Sequence, residues 1–202
     1  MTMKGIKMNL RGISSASLFM GWVVGIWLLS FLTSGASYAQ TYRDIGLPPS
    51  EIFEKMIVYA QEKDFEKLSK ALQLIKPITQ ALATKFSKNP EEEIQDAIKQ
   101  KNGEKAVLSI QRLVTLDLRD LLSIALGSIR ESSEKATTKF KTAYLDYLLI
   151  SPYVQVKSFS GDQKIKNIFR RAVTSFASEE ELKQMIQEIE KELFAASPEL
   201  KI

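Results

Sequence analysis

The 202-residue chain contains neither cysteine nor histidine. Without cysteine there are no disulfides, thiolate nucleophiles, lipid anchors through a thiol or thiolate metal sites. Without histidine the usual general base near neutral pH is missing, as are Ser-His triads and the commonest ligand for zinc, copper and iron. No Gly-x-Ser-x-Gly elbow or phosphate-cradling glycine loop occurs. Enzymatic function therefore has no residue to rest on, and no cofactor and no metal site are expected.

An excess of positive charge is also smaller than the totals imply. Lys and Arg number 28 against 24 Asp and Glu, a formal charge of +4. Three of those bases, Lys4, Lys7 and Arg11, stand in the first 39 residues, where no acid occurs. The remainder is close to neutral, which argues against a nucleic-acid partner, since phosphate binding needs clustered Lys and Arg in real excess.

Those three bases open a three-part N-terminus. An apolar run from Leu18 to Leu32 follows, then small residues ending Ser37-Tyr38-Ala39. This is the layout of a secretory signal over residues 1–39, with cleavage after Ala39. The run of about 15 residues is short of the roughly 20 that span a bilayer comfortably, so no stable membrane insertion is expected after cleavage. The alternative is an uncleaved N-terminal anchor; in both cases the rest of the chain lies outside the cytoplasm, in the periplasm or beyond, because the positive charges precede the apolar run.

Residues 40–49, ending Pro48-Pro49, read as an extended linker, and 50–202 as one helical domain. Apolar spacing there is 3.6-like nearly throughout, and no stretch alternates long enough for a strand. Helices are expected over about 51–62, from about Asp64 with a kink or restart at Pro77, from Asn89-Pro90, over 104–129, over 133–150 ending before Pro152, from Asp162 as a cap, and from Ser178 to the end. The stretch 153–161 reads as a loop. The fold class is thus all-α: an up-and-down antiparallel bundle of six or seven helices. Glu66-Lys67 and Glu104-Lys105 each open a helix after a short turn, about 38 residues apart, the trace of a duplicated hairpin.

Four features bear on function. On a helical wheel Asp117 falls among Ile110, Leu113, Leu118 and Leu121, so it is buried, either paired within the core or lining a cavity with Asp120 and a carboxylate from another helix. Tyr144, Tyr147 and Tyr153 with Phe140 form an aromatic cluster around Asp146. Asp117, Asp120, Tyr144 and Tyr147 are accordingly the candidate ligand-binding residues. Lys164, Lys166, Arg170 and Arg171 make a basic helix face, which Glu179, Glu180 and Glu181 could neutralise. The last helix, with Leu182, Met185, Ile186, Ile189 and Leu193 in a narrow stripe, packs on its own bundle or on a partner. Together these favour an exported, non-enzymatic envelope protein that binds another protein as accessory subunit or adaptor. The alternative is a periplasmic protein binding a small ligand or metal in a carboxylate- and tyrosine-lined cavity.

Overall fold

A computed structural model describes residues 48–174 and 178–201. The signal sequence, most of the linker and Phe176 lie outside them. The described residues form eight α-helices and one short 3-10 turn: α1 Pro49–Gln61, α2 Phe65–Leu74, α3 Lys76–Phe86, α4 Pro90–Lys99, α5 Gly103–Ser128, α6 Ser133–Lys157, α7 Phe159–Thr174, α8 Glu179–Ala196 and η1 Pro198–Leu200. No strand occurs among them, so the fold is all-α. The count exceeds the expected six or seven because the stretch around Pro77 restarts outright: Ile75 closes α2, and α3 carries the proline in its first turn, where a missing N–H costs nothing.

Helix starts are set by polar caps. The side chains of Asp64, Asn89, Asn102, Ser132 and Ser178 each accept a hydrogen bond from the backbone N–H three residues on, supplying a partner to a donor the helix itself cannot satisfy. Two of these starts repeat in detail. Lys63 and Lys101 both take left-handed backbone, with φ of 58° and 50°. Asp64 N–H then donates to the Tyr59 carbonyl at 2.8 Å, and Asn102 N–H to the Ala97 carbonyl at 3.0 Å. The spacing seen in sequence is therefore a repeated turn geometry. The second turn also abuts the first: a Cβ on Gly103 would stand 2.6 Å from the Ala60 carbonyl oxygen.

α5 is buried around most of its circumference, with Ile110, Leu113, Val114, Leu118, Leu121, Leu122 and Ala125 all in the core, the pattern of a central helix. It packs most extensively on α6 and also on α1 and α4; α6 packs on α7, and α7 on α8. The apolar stripe of α8 is spent inside the molecule, Leu182, Met185, Ile189 and Leu193 being buried.

Two expectations are corrected around residue 150. α6 continues through Pro152 to Lys157, so residues 153–157 are helical and only Ser158 separates α6 from α7. Proline removes one backbone donor and crowds the preceding turn, but both flanks are held by tertiary contacts: Ile150, Ser151 and Val154 are buried, and Pro152 faces outward. Asp162 is not a cap. The first turn of α7 is closed by Ser158, whose hydroxyl accepts from Gly161 N–H at 3.1 Å, and Asp162 lies inside the helix.

Among the described residues no helix is long and apolar enough to cross a membrane.

Candidate functional site

Three places in the structure carry unusual chemistry, and α6 contributes to all of them.

The first is a carboxyl pair. Asp117 of α5 and Asp146 of α6 are 2% and 1% exposed, and their side chains touch in a hydrogen-bond contact across the α5–α6 interface. Asp117 Oδ1 and Asp146 Oδ2 have no hydrogen-bond partner among the described residues. Burial pushes Asp117 up to about 7; the contact with Asp146 and the charge of Lys139 act the other way, and Asp120 adds to the rise. Burial likewise holds Asp146 well above the usual carboxylate range, reinforced by the charge of Asp117 and the contact with it. Two carboxyls in a dry interface cannot both ionise cheaply, and one proton shared between them is the state such a pair favours near neutrality. Lys139, itself nearly buried, is lowered by burial against the pull of Asp117 and Asp120.

Asp120 does not join this pair. One turn beyond Asp117, it forms an ion pair with Lys85 of α3 at the rim. Asp117 does meet a carboxyl from another helix, then, but Asp120 is committed elsewhere, and no group of three or more potential ligands that could hold a metal occurs among the described residues.

The second place lies on the opposite flank of α6. Asp162 of α7, fully buried, accepts from Tyr147 Oη at 2.8 Å and Ser151 Oγ at 2.7 Å, both on α6, while Lys166 Nζ stands 2.8 Å from its other oxygen. Burial alone would raise this carboxyl, but the bonds from Lys166, Ser151 and Tyr147 outweigh it and leave Asp162 below its ordinary value. Burial and the bond to Asp162 push the Tyr147 phenol well up. Phe169 centres the aromatic cluster beside it, stacking on Tyr144 at 5.0 Å and Tyr147 at 5.5 Å, with Phe140 tilted at 5.2 Å. Tyr153 points elsewhere, donating to the Glu199 carboxylate, and burial and that bond push it up to about 12.

The structure thus separates the four sequence candidates. Asp117 faces Asp146, Asp120 faces Lys85, Tyr144 stacks on Phe169, and Tyr147 binds Asp162. Sequence reasoning missed Asp162 as an anchor and Asp146 as the partner of Asp117. The signal available for Asp146 was its position one residue before Tyr147, which puts the two on different faces of one helix.

Two of the four basic residues on the face of α7 are paired with acids, and not with Glu179. Lys164 pairs with Glu192 at 3.2 Å and Lys166 with Asp162, whereas Glu179 forms a bidentate pair with Arg130 at 2.7 and 2.9 Å.

The third place is the outer face of α6. Leu145, Leu148 and Val156 are exposed, with Pro152 between them, and Phe159 continues the row just beyond the helix. Val156 is 85% and Phe159 62% exposed. On a 100° wheel Leu145, Leu148, Pro152 and Val156 share one side. Between Thr138 and Lys157 this helix has no exposed carboxylate, its single acid being the buried Asp146, while Lys141 and Lys157 bracket the row.

Comparison with protein-family models, with curated proteins and with solved structures finds no match to the chain.

Proposed function

We propose that this is an exported, non-enzymatic helical-bundle protein of the cell envelope that works by binding another protein through the outer face of α6. The observation that carries the reading is the exposed row Leu145, Leu148, Pro152 and Val156, extended by Phe159. Aligned apolar side chains along one helix are a recurring mode of helix recognition, whereas singly scattered ones need no explanation. The occupant that fits is an amphipathic helix of a partner protein with acidic residues beside its apolar face. Its acids would approach Lys141, and Lys157 in exchange for the ion pair Lys157 makes with Glu199 at 3.3 Å, and no exposed carboxylate of α6 between Thr138 and Lys157 would oppose them.

Export is part of the same reading and rests on the charged, apolar and small-residue segments of residues 1–39. The up-and-down antiparallel arrangement belongs to it too, supported by short connections and by α5, α6, α7 and α8 each packing on its successor. The non-enzymatic reading rests on the residue types missing from the chain.

The test is affinity purification of the tagged full chain from envelope fractions, in parallel with the double variant Leu148→Glu, Val156→Glu, whose fold is checked by circular dichroism. A protein recovered stoichiometrically with the wild type and lost at least about tenfold with the variant is the expected result, since central apolar anchors carry most of an interface's energy. Equal recovery with both chains, or no stoichiometric partner, would overturn the reading. So would a wild-type dimer that the variant abolishes, which would make a second copy the occupant.

A further inference from the structure

Asp117 and Asp146 meet carboxyl to carboxyl in the most extensive helix–helix interface among the described residues. An ionised carboxylate only accepts hydrogen bonds, so a bond between the two needs a proton on one of them. Asp117 Oδ1 and Asp146 Oδ2 have no hydrogen-bond partner from any donor group among the described residues, and water is nearly excluded from both side chains. The proton is therefore the link between α5 and α6 at this level of the core.

We propose that the Asp117–Asp146 pair is a pH-sensitive clasp: with one shared proton it ties α5 to α6, and loss of that proton sets two like charges against each other in a dry interface and loosens it.

The charges acting on the pair come from three helices. Asp120, on α5 itself, opposes ionisation of Asp117; Lys139, on α6, favours it; Lys85 of α3 reaches the pair through its ion pair with Asp120. Lys139 is itself weakened as a cation by burial, so it offsets the like charges only in part. The operating range follows from both groups: Asp117 is raised to about 7 and Asp146 stands well above the ordinary carboxylate range, so the pair gives up its protons from neutrality upward and the shared one last. A carboxyl raised in the folded state binds its proton more tightly there than in the unfolded chain. Its stabilising effect is complete below the ordinary Asp value of about 4 and is lost as pH rises through the folded value. The chain has no histidine, so no side chain of ordinary pKa titrates between about pH 5 and pH 8. A stability change in that window that is absent when both aspartates are replaced has the pair as its source.

Asp146 lies in the same turns as Leu145 and Leu148 but about 100° round the helix from Leu145, so the clasp and the apolar row occupy different faces of α6. Any effect on docking rests on the proposed function, whereas the clasp itself does not.

The experiment is urea unfolding of the full chain from about pH 5 to about pH 8, for the wild type and for Asp117→Asn, Asp146→Asn. The wild-type midpoint should fall steadily across the range. The midpoint of the double variant should stay flat and exceed that of the wild type at the alkaline end. Parallel profiles would overturn the clasp. A second measurement needs no variant: carbon-13 NMR of the aspartate side-chain carboxyls in the wild type. At neutral pH one buried carboxyl resonance should still report a protonated group and then titrate on going alkaline. Complete ionisation of every aspartate by about pH 5 would overturn the proposal. Neither readout depends on whether a docking partner is found.

Discussion

Two buried aspartates lie on either side of α6, and they hold their neighbours by opposite means. Asp162 is ionised and surrounded by donors: a phenol, a hydroxyl and an ammonium. Asp117 meets another acid, and one oxygen of each, Asp117 Oδ1 and Asp146 Oδ2, has no hydrogen-bond partner from any donor group among the described residues. Burial penalises charge in both places, and the donors alone decide which wins. The comparison teaches that the depth of a carboxyl says little about its protonation until the atoms facing it are named. It also predicts opposite pH dependence. The stabilisation from Asp162, whose folded value is lowered, is present above about pH 4 and lost on acidification below it; that from the Asp117–Asp146 pair is lost on going alkaline.

The severest way to break the comparison is Asp162→Ala. It leaves the Lys166 ammonium and two hydroxyls without their acceptor in a buried site, and it should cost about 3–5 kcal/mol in urea unfolding at neutral pH. A loss under about 1 kcal/mol would mean that water replaces the carboxylate and that the site is not dry. Next comes the slope of stability with pH. While one carboxyl of the pair titrates, the wild type should lose up to about 1.4 kcal/mol per pH unit, a slope that Asp162→Ala retains if it folds and that the double asparagine variant lacks. The mildest change is Tyr147→Phe. It removes one of the donors to Asp162 and keeps the ring on Phe169, so about 1 kcal/mol is expected. The variant should also lose acid resistance slightly, because Asp162 then has fewer donors holding it ionised.

Local chemistry was readable without coordinates. Asp64, Asn89 and Ser178 cap helices as their residue types and neighbours imply, and the restart at Pro77 follows from its missing N–H. Burial of Asp117 was legible too, because helical periodicity alone places it among leucines. What it meets was not. Asp117 and Asp146 are brought together by the register of α5 against α6, which no local pattern records. Pro152 misled for a related reason: a proline ends an isolated helix, but here buried residues on both sides carry the helix through it. Asp162 looked like a cap since it is an acid near a helix start, and only the α6–α7 packing turns it toward Tyr147 and Ser151.

The contact between Gly103 and the Ala60 carbonyl restricts which residue the position accepts. The obstacle there is main chain, so no change of rotamer accommodates a side chain; α1 and the start of α5 would have to move apart. Position 103 is thus held to glycine, because only the missing Cβ clears the Ala60 carbonyl.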